Sequence, residues 1–280
     1  MASSEFVPIL LSVGSAVCWG AGDFLGGLAA RKTDALGVVA FALLSGGVLA
    51  LAFAAGRSEP IPAATNVGWA IASGICGGLA LSAFYQALAV GKIGINAPVA
   101  GVLTAAIPAV AGMVLLGVPQ RIQLAGFALA LLSIILVSQG GAKKEGNRGF
   151  GLALAAGVGF GGFILFLKLA TETHVFGPLS ASRVSSTAFM LLICVALRRS
   201  WFPRRGTWTL IVAAGVLDTV GTMMFAYAAQ LGRMDVAAVV AAMYPGATVV
   251  LARIFLKEYL TRLQLAGVAT ALLAIALIAL

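Results

Sequence analysis

The chain alternates between long apolar runs and short hydrophilic gaps along its whole length. A helix needs ~20 apolar residues to cross ~30 Å of hydrocarbon at 1.5 Å per residue. Gaps marked by charges and by Gly/Pro clusters predict helices at about 6–29, 35–56, 67–90, 94–117 and 122–139, then at 149–171, 178–197, 207–231, 234–256 and 263–280. The fold class this implies is an all-α integral membrane protein with ten transmembrane helices. The longest gaps, near 56–66, 140–149 and 198–207, leave no room for an extramembrane domain.

The pattern is also said twice, at a constant offset of 141 positions: Trp19-Gly20 is answered by Phe160-Gly161, Gly74 by Gly215, Phe84 by Phe225, Gly91-Lys92 by Gly232-Arg233, and Gln123-Leu124-Ala125-Gly126 by Gln264-Leu265-Ala266-Gly267. The repeats are 1–140 and 149–280, far longer than solenoid units of ~20–50 residues. Each holds five predicted spans. A unit with an odd number of crossings ends on the opposite side from its start, so its copy inserts upside down. The two five-helix repeats are therefore expected to be inverted about an axis in the membrane plane. GxxxG pairs at Gly22/Gly26, Gly74/Gly78 and Gly157/Gly161 mark where helix backbones approach closely.

Composition agrees: 61% of residues are hydrophobic and 10% charged, against ~25% charged in soluble domains. Mean hydropathy is +1.07. The net charge of +9 is scattered in the gaps, which argues for topology determinants and against a nucleic-acid surface. Odd-numbered gaps hold 13 Lys and Arg and even-numbered gaps hold 4, so the odd gaps are expected in the cytoplasm and both termini outside. Cys18, Cys76 and Cys194 fall in apolar runs without a CxxC or a His-rich cluster, so no metal site, disulfide framework or cofactor is expected. The N-terminus lacks a basic region before its first apolar run, which does not suggest a cleaved signal peptide.

Trp19-Gly20, the intramembrane Tyr244-Pro245, Leu256-Lys257-Glu258 and Gln264-Leu265-Ala266-Gly267 together resemble the EamA family of the drug/metabolite transporter superfamily. The first half departs from the family pattern: Thr104 stands where Pro245 has its counterpart, and Gly117-Val118 replaces the glutamate. Pro245 and Glu258 are thus motif residues of the second half only. The resemblance implies a secondary transporter of small metabolites in a multi-pass membrane setting, with a bacterial inner membrane as the expected location. A homodimer is left open.

A charge at mid-bilayer costs at least ~2.5–3.5 kcal/mol on insertion scales, so each one requires an account. Asp218 lies halfway along the eighth span with Thr222 one turn on, Asp23 lies one turn after Trp19, and Arg183 lies five residues into the seventh. Tyr85, Gln86, Asn96 and Tyr244 complete the candidates for binding substrate or protons. Asp23, Arg183 and Asp218 match Ile164, Ala42 and Gly77 in the other half. Scaffold features obey the repeat and these charges break it, as specificity for an asymmetric molecule requires. Other readings stay open. Arg183 is near enough a helix end to snorkel, Asp23 to pair with Arg31 or Lys32, and Asp218 to be a structural ion pair or a neutral acid. The expected function is secondary active transport of a metabolite such as an amino acid, with export as the expected direction. Alternating access and proton coupling would complete that picture. A passive channel is the main alternative. An intramembrane lipid-modifying enzyme is a weaker one, because the lone histidine, His174, lies outside the spans and no catalytic cluster accompanies it.

Overall fold

The computed structural model describes residues 2–57, 59, 63–116, 121–139, 148–171, 174–198, 201–231, 240–241 and 243–279. Among these the chain is helical throughout, without a strand. The first repeat comprises α1 (Ala2–Ala30), α2 (Ala35–Gly56), α3 (Ala64–Val90), α4 (Ile93–Leu116) and α5 (Arg121–Gln139). The second comprises α6 (Phe150–Ala170), α7 (Phe176–Ala196), a 3-10 turn (Arg205–Thr207), α8 (Trp208–Leu231), α9 (Tyr244–Phe255) and α10 (Arg262–Ala279). The spans read from hydropathy recur as these helices to within a few residues at their ends. Helix α3 starts three residues earlier than expected, and the first part of the ninth span (234–239) lies outside the described residues. Among the described residues six helices are long and apolar enough to cross a membrane; the apolar stretches Ile93–Ile107, Leu124–Ser133, Tyr244–Phe255 and Arg262–Leu277 are shorter. The full count of ten crossings is accordingly an expectation of the sequence.

Helix ends follow local chemistry. The Asp34 carboxylate accepts the Leu36 N–H at 2.9 Å and so caps α2, satisfying a donor that the first turn leaves orphaned. Pro245 sits in the first turn of α9, where its missing N–H costs nothing. Gly149, just before α6, has φ of +80°, and a side chain there would also run into the Ala87 carbonyl. The outward faces are apolar, with Leu131, Leu192 and Phe255 each more than 60% exposed. Such surfaces suit hydrocarbon and not water.

The helix pairings map onto themselves when the repeats are exchanged. Helix α1 packs on α8 and α3 on α6, α4 on α6 and α9 on α1, α3 on α7 and α2 on α8; α2 with α7 and α5 with α10 are their own mirror pairs. Gly47 lies against Arg183 and Phe53 stacks on Phe176, so the counterpart helices α2 and α7 run in opposite directions. The contacts made between repeats thus outweigh those between sequence neighbours in building the bundle.

In lipid no hydrophobic force draws helices together, so close backbone approach has to do it. Gly74 abuts the Ser182 carbonyl and Ser186 N–H of α7, and its counterpart Gly215 abuts the Ala42 carbonyl and Ser45 of α2. Gly20 abuts Tyr244 and Thr248, and its counterpart Gly161 abuts Ile107. The three GxxxG pairs all lie at helix contacts: Gly22 on α8 and Gly26 under the Tyr85 ring, Gly74 and Gly78 on α7, Gly157 and Gly161 on α4.

Gly74→Val and Gly215→Val are each expected to destabilise the fold by about 1–3 kcal/mol, the usual range for overpacking. Gly68→Ala, where nothing lies within 4 Å of the added carbon, should leave stability unchanged or raised. Thermal unfolding of the detergent-solubilised variants checks this, and equal midpoints for Gly74→Val and Gly68→Ala would refute the close-contact account.

Candidate functional site

Among the described residues the centre of the bundle holds an ion pair, its arginine side chain 7% and its aspartate side chain 25% exposed. Arg183 on α7 is 5% exposed, and its Nη2 lies 2.5 Å from Asp218 Oδ2 on α8. The same nitrogen donates to Thr222 Oγ1 at 3.4 Å. Thr222 in turn donates to the Asp218 backbone carbonyl at 2.9 Å. From α1, the Trp19 indole N–H reaches Thr222 Oγ1 and the Asp218 carbonyl, each at 3.2 Å. The pair is therefore framed by helices of both repeats, and the snorkelling reading of Arg183 is excluded by its burial. The structural-pair reading of Asp218 is what the geometry shows.

Aromatic and acidic groups surround it. Trp19 packs on Phe225 at 5.8 Å and meets Tyr244 edge-on at 6.1 Å. Tyr244 shares a side-chain hydrogen bond with Thr104, which occupies the place of the missing first-half proline. Asp23 is buried within electrostatic reach of Asp218, Tyr85 and Tyr244. Tyr85, 1% exposed, also feels Asp218 and Arg183. Beside the pair lies a cavity of about 30 Å³ whose walls include Leu43, Gly77, Phe160, Phe163 and Ser182. That is room for a water molecule or two. The Arg183 Nε, fully buried, finds no acceptor among the described residues.

Seven sequence candidates thus meet at one place: Trp19, Asp23, Tyr85, Arg183, Asp218, Thr222 and Tyr244. Two do not. Gln86 is exposed on the outside of α3, because one residue along a helix turns the side chain by about 100° away from Tyr85. Asn96 is buried but structural, donating to the Ala87 carbonyl at 2.8 Å and the Arg148 carbonyl at 3.1 Å. Nor does Arg31 serve Asp23. Its guanidinium is committed elsewhere, donating to Leu88 O and Gly91 O and pairing with Glu258 at 3.0 Å.

That last pair belongs to a latch at the odd-gap end of the bundle. Glu258 also accepts the Gly94 N–H at 3.1 Å, and Lys92 donates to the Tyr259 carbonyl at 3.2 Å. Two loops of the first repeat are thereby bound to one of the second. The even-gap end has its own closure. Glu59 accepts the Gly177 N–H at 2.8 Å, and Arg57 hydrogen-bonds Tyr227 while lying 5.9 Å from the Phe176 ring centre. Sequence reasoning counted Arg57 only as a topology charge, and Arg31 as that or as a partner for Asp23. The signal available was that Glu258 and Glu59, rare acids, each stand in a gap of the same parity as those arginines.

A duplicated bundle of apolar helices, with charged groups buried where its halves meet, has the architecture of a multi-pass membrane transporter. The EamA-like transporter family model matches residues 7–139 and again 147–280, and the chain belongs to that family, within the drug/metabolite transporter superfamily. No curated protein matches it. Among 27 matching chains of solved structures, one described only as a crystal structure of a protein superposes with TM-score 0.68 at 17% identity over 97% of both chains. At that identity the likeness concerns the fold alone. Family membership carries with it a small-molecule substrate and a lipid bilayer, and the members of this family are transporters.

Removing one member of a buried pair leaves the other charge unpaired, which costs about 3–5 kcal/mol. Asp218→Ala should lose that much stability, whereas Arg183→Met with Asp218→Leu should recover most of it. Unfolding of the purified proteins decides; a double variant no better than the single one would show that the pair's charges do not oppose each other's burial.

Proposed function

We propose that this protein is a secondary active transporter whose substrate binds by opening the Arg183–Asp218 pair. Ten crossings, arranged as two inverted five-helix repeats, give the scaffold; the antiparallel run of α2 and α7 and the exchange symmetry of the packing support that reading. The observation that carries the function is an ion pair between α7 and α8 whose surroundings α1 of the other repeat completes, beside a cavity of about 30 Å³ that is too small for a metabolite. A carrier caught closed has these features, whereas a channel needs a continuous path. Alternating access then means rocking one repeat against the other, with only one end latch broken at a time.

A zwitterion such as an amino acid suits the pair. Its ammonium replaces Arg183 at Asp218, with Asp23 nearby, while its carboxylate takes the guanidinium, including the unpartnered Nε, in a charge-assisted bidentate bond. Trp19, Tyr85 and Tyr244 supply the apolar and edge-on walls. Asp218 is also the group we assign to proton coupling, and export is the expected direction.

Asp218→Asn should insert normally yet abolish transport in proteoliposomes, and the wild type should accumulate its substrate against a gradient. Equilibration without accumulation would make it a channel, and transport with unchanged pH dependence in Asp218→Asn would remove Asp218 from the mechanism. For the latch, cysteines in place of Arg31 and Glu258, in a chain with its three native cysteines changed to serine, can be joined by a cleavable bifunctional thiol reagent. Joining them should stop transport and cleavage should restore it; full transport by the joined protein would mean that the odd-gap latch stays shut throughout the cycle.

A further inference from the structure

The loop from α7 to α8 has a chemistry that the transport site does not use. Between Glu172 and Asp218 the chain has no acid, and the loop brings Arg198, Arg204 and Arg205 together with Trp201, Phe202 and Trp208. The three arginines are exposed, as are Trp201 at 38% and Phe202 at 63%. Among the described residues the ion pairs are Arg31–Glu258 and Arg183–Asp218, and none of them takes up these guanidinium groups.

The described part of the loop, 201–207, is nevertheless held in a defined shape. Phe41 of α2 stacks on Trp201 with 10° between the planes and meets Trp208 edge-on at 4.8 Å. Phe202 joins the same cluster through Trp208 at 5.4 Å. The Trp201 backbone rests directly on Gly37, and Thr207 Oγ1 donates to the Arg204 carbonyl at 2.8 Å. Pro203 is buried while both its neighbours face outward. A fixed array of three cations and an exposed aromatic edge therefore stands at the end of a membrane-crossing helix, where the adjoining Leu192, Val195 and Leu197 are all more than 60% exposed.

Its counterpart in the first repeat is different. Arg198 matches Arg57, but Trp201, Phe202, Arg204 and Arg205 match Pro60, Ile61, Ala63 and Ala64. Arg57 turns inward to Tyr227 and Phe176. The outward-facing array is thus an addition to the second half and not a requirement of the scaffold.

We infer that this loop is a binding site for anionic phospholipid headgroups. The apolar helix face below it receives the acyl chains, the aromatic edge lies at headgroup level, and the guanidinium groups take the phosphate. Arginine is suited to this because its planar fork matches phosphate oxygens bidentately.

The test uses the full-length protein in nanodiscs of phosphatidylcholine alone or with increasing phosphatidylglycerol, reading thermal stabilisation and retained lipid by native mass spectrometry. The wild type should be stabilised at low phosphatidylglycerol fractions, and added salt should weaken the effect. Each arginine removed should raise the fraction needed about fivefold, so Arg204→Gln with Arg205→Gln shifts the curve by over tenfold while stability in pure phosphatidylcholine is unchanged. Should that variant fold poorly, Arg198→Gln and Phe202→Ser give the same reading singly. A variant curve superimposed on the wild type would overturn the proposal, and so would an equal stabilisation by inorganic phosphate in pure phosphatidylcholine. A transport defect from Asp218→Asn leaves this outcome untouched.

Discussion

A guanidinium that cannot lose its proton is buried in an apolar bundle, and the centre of the protein is organised around that fact. Arg183 carries its charge at any physiological pH, and desolvating it is affordable only with an acid at hand. Asp218 supplies that acid at 2.5 Å, and Trp19 and Thr222 hold the backbone and hydroxyl groups around it. Glycine makes the arrangement reachable. Without side chains at Gly22 and Gly47, α1 and α2 can come close to the helices that bear Asp218 and Arg183. The ion pair and the close packing are therefore one device: the pair needs helices near enough to exclude lipid, and the glycines permit that nearness.

Duplication supplies the frame and departure from it supplies the site. Gly74 and Gly215, or Gly20 and Gly161, make matching contacts because both halves must cross one another in the same way. Arg183 and Asp218 face no such demand, and their counterparts are Ala42 and Gly77. Had both halves kept the charges, two pairs would compete for one interior at twice the desolvation cost. Gly77 instead lines the small cavity beside the pair, where the Phe163 ring takes the place a side chain would need.

Much of this was legible in the sequence, and the parts that were not share a cause. Hydropathy located the helices because a bilayer imposes one length on all of them, and the 141-residue offset exposed the frame because contacts between repeats conserve small residues in register. Arg183 and Asp218 stood out as charges that break the repeat. Their union did not: an ion pair was one open reading of Asp218, but nothing in the sequence named Arg183 as its partner. Pairing across helices depends on rotation about each axis, and an error of one residue turns a side chain from the interior to lipid, as Gln86 beside Tyr85 shows. The Arg31–Glu258 latch spans 227 positions, a separation at which spacing carries no signal.

The closed centre also constrains how such a protein spends binding energy. A ligand shifts a conformational equilibrium only by its difference in affinity between the two states. In the closed state the charges satisfy one another, so an open state with Arg183 and Asp218 parted is costly when empty. A molecule carrying both a carboxylate and an ammonium removes that cost at both ends at once, whereas one with a single charge leaves the other buried group unpaired. On the proposed mechanism the same pair that stabilises the empty protein would also discriminate among ligands, because the wrong ones would leave an orphaned charge. Selectivity and the barrier to leakage would then arise from a single interaction, with the latches at the two ends dividing the opening into separate steps.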